Sequence, residues 1–272
     1  MAGFLFCLKI CIIKLQMEQG TNMKKNILRA IAVLAALFLI IYVFAGLPDF
    51  VKNREREVKE SNEITITIPE GLNARQIGDL LEKKGLFAGS VFVAEAGREE
   101  GFLFPDTYRF YKDAKPADVI SKMKENFNKK LTRDILDEIA AQKQTLKNII
   151  TMASILEEEV RGEEDMKIVA GILWKRIDRG MGLNVDAALT YVLGKTSAEL
   201  TDGDLKYDSP YNTYLYRGLP PTPISNPGLS TINAALNPTT SKYFYYLTGK
   251  DGKTYYAETL EGHTLNKRKY LR

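Results

Sequence analysis

The stretch from Thr145 to Gly180 (TLKNIITMASILEEEVRGEEDMKIVAGILWKRIDRG) constrains the fold most, because its apolar residues recur at helical spacing and must be buried. It reads as helix with a break near Gly162, with Thr145 as N-cap and Gly180 as C-terminal stop. At about 100° per residue, Leu146, Ile149, Ile150, Ala153, Leu156 and Val160 share one apolar arc. Glu157 falls inside that arc; Glu158 and Glu159 fall outside it. A carboxylate on a buried stripe is expensive to ionise, which is how an enzyme keeps a general acid protonated near neutral pH. The competing reading is structural: glutamates at the edge of an apolar stripe commonly snorkel to solvent or pair with a Lys or Arg.

The chain has 272 residues, enough to bury one large domain or two smaller ones. Its net charge of +4 is confined to residues 1–30, where Lys9, Lys14, Lys24, Lys25 and Arg29 face Glu18 alone. The remaining residues balance at zero, so no basic face is left for a nucleic-acid backbone, and no nucleic-acid partner is expected. Cys7 and Cys11 both precede the body, which leaves it neither a disulfide framework nor a thiolate metal site. His263 is the sole histidine, which excludes clustered histidine ligation and any Ser-His-Asp triad without it. No metal or cofactor is expected. A lone histidine is more often structural than catalytic, and whether His263 assists chemistry is left open by the sequence.

Ile27 to Leu47 is apolar except for Arg29, and such a helix is long enough to cross a hydrocarbon core of about 30 Å. Lys24, Lys25 and Arg29 precede it, which predicts a single pass with residues 1–26 cytoplasmic and the body outside. A cleaved signal peptide competes, since Val43-Phe44-Ala45 resembles a cleavage site, but the run exceeds a typical signal core. Met23-Lys24-Lys25 is a natural start, so residues 1–22 read as an over-extended frame. Residues 48–62 carry mixed charge and read as a solvated tether.

Beyond the tether, Ile64 to Ile68 alternates at period two, a half-buried strand, and Pro69-Glu70-Gly71 turns the chain. Asn73 and Gln76 form a capping box for a short helix with Ile77, Leu80 and Leu81 on its apolar face. This βα unit fits 63–97, and the rest, 98–272, is a second, larger domain. Glu100 to Tyr108 (EGFLFPDTY) is a loop fixed by Pro105, and its Phe104 and Asp106 suit the faces and hydroxyls of a sugar. Pro116 to Lys143 reads as one helix. Gly182 to Ala188 reads as a loop bearing a second candidate carboxylate, Asp186. Ser209 to Tyr214 and Leu219 to Gly228 are rigid loops, the second with four prolines, and a long loop held so rigidly is usually functional. Asn212 and Asn226 offer donors and acceptors of the kind an acetamido group needs. Tyr243 to Leu247 and Thr254 to Ala257 flank Asp251-Gly252 and predict a hairpin.

EGFLFPDTY, ASILEEE (153–159), GMGLNVD (180–186), SPYNTY (209–214) and LPPTPISNPG (219–228), in that order, resemble the MltG (YceG-like) family of endolytic murein transglycosylases. The resemblance implies an α+β protein: a single N-terminal transmembrane helix, a small LysM-like βα subdomain, and a mixed α/β catalytic domain whose central helix carries the acid. It implies Glu157 as the catalytic residue, with Asp186, Tyr211, Asn212, Asn226, Phe104 and Asp106 lining the cleft. The expected substrate is peptidoglycan glycan strands, cut between N-acetylmuramic acid and N-acetylglucosamine to leave a 1,6-anhydromuramyl end. Expected partners are the cytoplasmic membrane, peptidoglycan synthases (penicillin-binding proteins) and division or elongation proteins. The alternatives are a muramidase using Glu157 and Asp186, and a wall-binding tether without catalysis.

Overall fold

A computed structural model of the chain describes residues 62–271, together with 25, 26, 28, 31, 32 and 34–42. The chain divides into two units, Met1–Asn62 and Glu63–Arg272. In the first, residues 34–42 are helical and expose Leu34, Leu37, Phe38, Leu39, Ile40 and Ile41. Among the described residues no helix is long and apolar enough to cross a membrane. The run 27–47 expected to do so lies partly outside them, and so do residues 1–24 and nearly all of the tether.

The second unit opens with β1 (Glu63–Thr67), α1 (Ala74–Lys83), α2 (Gly89–Ala96) and β2 (Thr107–Tyr111). The two strands pair antiparallel, from Glu63 opposite Tyr111 to Thr67 opposite Thr107. Period-two alternation buries Ile66, Tyr108 and Phe110 beneath the sheet, while the Thr67 and Thr107 hydroxyls bond at 2.8 Å on the outer side. The Asn73–Gln76 capping box opens α1, whose Ile77 and Leu81 face the same core. A Cβ at Gly78 would lie 2.8 Å from the Gly89 carbonyl oxygen, so these two backbones meet only because both residues are glycine. Val119 and Met123 of α3 (Pro116–Lys130) complete this small core. The unit is therefore β-α-α-β, and the boundary expected near residue 97 falls inside it.

The helix expected over Pro116–Lys143 is two helices. Leu131 leaves helical geometry (ψ 84°) and buries its side chain in the larger core, and α4 (Arg133–Ala141) restarts after Thr132. The larger core surrounds α5 (Leu146–Glu159), which packs against α4, α6 (Glu163–Asp178), α7 (Asp186–Leu193) and α8 (Leu229–Leu236). Thr145 caps α5 by accepting from the Asn148 N–H at 3.1 Å. Every residue from Ile149 to Glu157 is buried, so α5 is enclosed all round rather than along one arc. Thr151 and Ser154 satisfy their hydroxyls on the carbonyls of Lys147 and Thr151. Gly162, at φ 89°, makes the break between α5 and α6.

At the carboxyl end, β3 (Tyr245–Thr248) and β4 (Thr254–Ala257) form the expected hairpin, Tyr245 opposite Ala257. A further helix, α9 (Leu260–Tyr270), follows. It buries none of its residues fully, so it lacks the apolar stripe by which periodicity reveals a helix. The architecture is α+β.

Candidate active site

Glu157 lies in the last turn of α5 and is 3% exposed. Its Oε2 accepts from the Gly228 N–H at 3.0 Å and from the Thr231 hydroxyl at 2.6 Å. Gly228 is the N-cap of α8 and Thr231 lies in its first turn, so the carboxyl sits against the positive end of a helix. Arg161 Nη1 stands 3.8 Å from Oε1, with its own side chain 80% exposed. Two donors occupy Oε2, and neither of them reaches Oε1. The carboxyl is thus fixed at one oxygen, with Arg161 beside the other.

The segment that supplies Gly228 is the proline-rich loop, strapped along α5. Ile224 N–H donates to Ser154 Oγ at 3.0 Å, and Ser225 Oγ donates to the Ser154 carbonyl at 3.2 Å. Asn226 is fully engaged within the protein. Its Oδ1 accepts from Gly101 and Leu103 N–H, each at 2.9 Å; its Nδ2 donates to the Leu72 carbonyl at 2.9 Å and to Glu100 Oε1 at 2.8 Å. Asn212 likewise donates to the carbonyls of Leu205 and Tyr207 and accepts from Tyr214 N–H. These buried amides hold loops; neither presents its side chain to a sugar as the sequence suggested.

The small β-α-α-β unit reaches the same place through its first turn. Gly71 N–H donates to the Asn226 carbonyl at 3.0 Å, and Asn226 N–H donates to the Leu72 carbonyl at 3.1 Å. Gly71 has φ +84°, and a Cβ there would meet Glu158 Oε1 at 3.1 Å and Glu157 Cγ at 3.4 Å. A Cβ at Gly228 would fall 1.8 Å from Glu70 Oε1, so the Glu70 carboxyl rests against this glycine. Glu70 is an exposed residue whose carboxyl is partly desolvated against Gly228; that desolvation first, then the neighbouring Glu157 charge, raises its pKa, and Arg161 opposes the shift. Glu158 is raised by burial as well, with Arg161 opposing and Glu157 adding.

Asp186, proposed from sequence as a partner for Glu157, is the first residue of α7 rather than part of a loop, and it lies near Glu159. Tyr214 OH donates to Asp186 Oδ1 at 2.6 Å, and Tyr246 OH donates to Glu159 Oε2 at 3.0 Å. Burial pushes the Glu159 pKa up to about 7, against the Tyr246 bond and with the Asp186 charge adding. Residues 157 and 159 project to nearly opposite sides of one helical turn. Each side thus has its own carboxyl pair: Glu157 with Glu70, and Glu159 with Asp186.

A second buried carboxyl residue, Glu100, takes the first N–H of α1 (Ala74) on both oxygens, at 3.1 and 3.0 Å, and Tyr191 OH at 3.2 Å. Burial lifts it to about 7, with the Ala74, Tyr191 and Asn226 donors opposing. Tyr211 OH bonds the Thr222 hydroxyl at 2.6 Å. Phe104 is buried under Lys130, whose Nζ is 5.3 Å from its ring. Asp106 is a surface carboxyl held below its ordinary range by the Asn126 amide and the Thr107 N–H. His263 stacks on Tyr245 within α9, with Nδ1 buried and unpartnered. Among the described residues, no cluster of three or more His, Cys, Asp or Glu could hold a metal.

Sequence reasoning missed Glu70, Thr231, Glu100 and Glu159. Glu70 and Glu100 each precede a glycine at a turn, a weak local signal; their meeting with distant partners is tertiary.

A family model described as the YceG-like family matches residues 47–269. An endolytic murein transglycosylase of Bacillus subtilis is 36% identical over 173 residues, covering 63% of this chain and 48% of that protein. One of Streptococcus pneumoniae serotype 2 is 30% identical over 259 residues, covering 81% of this chain and 47% of its own length. The chain thus spans about half the length of these curated relatives. A crystal structure of a yceG-like protein from Listeria monocytogenes matches with a TM-score of 0.67 and 33% identity, over 74% of this chain and 75% of that one. With most of its length matched by the family model, the chain belongs to the YceG-like family.

Proposed function

We propose that this chain is a membrane-anchored lytic transglycosylase that cuts within peptidoglycan glycan strands, with Glu157 as its acid. The observation that carries this is the fixed carboxyl: Oε2 is held by Gly228 and Thr231, leaving Oε1 to carry the proton. The reading is supported by the relatives named endolytic murein transglycosylase. Glu157 protonates the glycosidic oxygen between N-acetylmuramic acid and N-acetylglucosamine. The muramyl C6 hydroxyl attacks its own anomeric carbon as that bond breaks, and its proton passes to a carboxylate at the site. The product is a 1,6-anhydromuramyl end, and no water is consumed.

In this reading the β-α-α-β unit is a LysM-like grip on the strand. Residues 27–47 are a single-pass anchor with the amino end cytoplasmic, a placement supported by the apolar composition and the preceding cations. The catalytic body then works outside the membrane, beside peptidoglycan synthases and division or elongation proteins.

A hydrolytic muramidase is the second reading. What favours it is a carboxyl beside Glu157, namely Glu70 rather than Asp186. Mass spectrometry of digested glycan strands separates the readings. Anhydromuramyl ends are expected. Ends heavier by one water would make the enzyme a muramidase, and uncut strands would leave a wall-binding tether.

A further inference from the structure

We infer that Glu70 is the second catalytic carboxyl of this site, the group that takes the proton from the muramyl C6 hydroxyl while Glu157 gives its own to the leaving oxygen. The inference rests on the transglycosylase reading above. Gly228 is the hinge of the geometry. Its N–H holds Glu157 Oε2 at 3.0 Å, and its α-carbon carries no side chain because a Cβ would lie 1.8 Å from Glu70 Oε1. Through that one residue the two carboxyl groups are within about 7 Å of each other. Glycosidases that divide acid and base work between two carboxyls use separations of about 5 to 9.5 Å. The turn bearing Glu70 is pinned by a reciprocal pair of backbone hydrogen bonds, Gly71 to Asn226 and Asn226 to Leu72, which fixes the backbone from which the carboxyl projects beside Gly228.

The charged groups facing Glu70 are Glu157 and Arg161, with Glu158 against Gly71 of the same turn. Glu70 is exposed, whereas Glu157 is buried and committed at one oxygen. The step balances without a co-reactant. The C1–O4 bond breaks and the O6–C1 bond forms. One proton moves from Glu157 to O4 and one from O6 to Glu70, and solvent returns the proton from Glu70 to Glu157 before the next turnover.

The test compares wild type, Glu70→Gln and Glu157→Gln full-length protein on purified glycan strands, with anhydromuramyl ends counted across pH 4 to 9. Wild type is expected to show a bell-shaped kcat, both limbs belonging to the carboxyl pair. Glu70→Gln is expected to lower kcat about 100-fold with KM changed less than threefold, and to leave a single limb. Wild-type kcat in Glu70→Gln, or a lower kcat with the bell intact, would overturn the proposal. If Glu70→Gln does not fold, Glu70→Asp decides. A partial rate with a displaced acid limb supports the role, and a full rate with that limb unmoved overturns it. Wild type that forms no anhydromuramyl ends would instead refute the reading on which the inference rests.

Discussion

The two sides of the last turn of α5 hold carboxyls in opposite surroundings. On one side, Glu157 meets an N–H and an O–H from the start of α8. On the other, Glu159 meets a tyrosine hydroxyl and the neighbouring Asp186, and burial keeps its proton bound up to about pH 7. A like charge beside a buried carboxyl opposes its ionisation, as Asp186 does for Glu159. Two glutamates separated by one residue are thereby set in different surroundings: one bonded to the start of a helix, the other keeping a proton while holding β3 against the body.

The sharpest way to break this contrast is to remove each acid alone. Glu157→Gln is expected to lower kcat by about 1000-fold, and Glu159→Gln by less than about tenfold. Equal losses, measured by release of new glycan ends, would erase the distinction. Next in size is the loop that supplies Gly228. Asn226→Ala removes four buried hydrogen bonds and strands the Gly101 and Leu103 N–H groups. Denaturant unfolding is expected to show a loss of about 4 kcal/mol. A loss under 1 kcal/mol would mean that the loop is held elsewhere.

The proton-holding carboxyls also predict a pH dependence of stability. Glu100 and Glu159 have folded pKa values of about 7, raised from an ordinary 4.5. The folded state therefore binds more protons than the unfolded one between those values. Their contribution is complete below about pH 4.5 and is lost as pH rises through 7, by up to about 3 kcal/mol for each group. Thermal midpoints should fall between pH 5 and pH 8, and Glu159→Gln should flatten part of that slope. A midpoint that rises over the same interval would contradict the assignment. The smallest effect is expected at Thr231. Thr231→Val deletes the 2.6 Å donor to Glu157 while keeping the packing volume, and kcat should fall about tenfold with little change in KM. An unchanged kcat would show that Gly228 alone suffices.

What could be read from the sequence was local. The Asn73–Gln76 box, the Thr145 cap, the break at Gly162 and the Asp251-Gly252 hairpin each depend on residues a few positions apart, and each has its expected geometry. Glu157 was visible because burial and helical phase coincide along a single segment. What escaped depended on distant parts of the chain. β2 finds β1 across some forty residues, so the small unit extends past its expected end. The amides of Asn212 and Asn226 have the chemistry of sugar ligands, but they are consumed by backbone groups that only folding brings near. Glu70 shows the same limit from the other direction. A turn residue in an ordinary Pro-Glu-Gly sequence becomes a neighbour of the acid because a glycine more than 150 positions later leaves space for it.

The most direct test of the central claim, that the Glu157 site closes a sugar ring onto itself without water, is digestion of glycan strands in ¹⁸O-labelled water. Mass spectrometry should find new muramyl ends in the anhydro form with no label incorporated. Labelled reducing ends, one water heavier, would contradict the claim and make Glu157 and Glu70 the acid and base of a hydrolase.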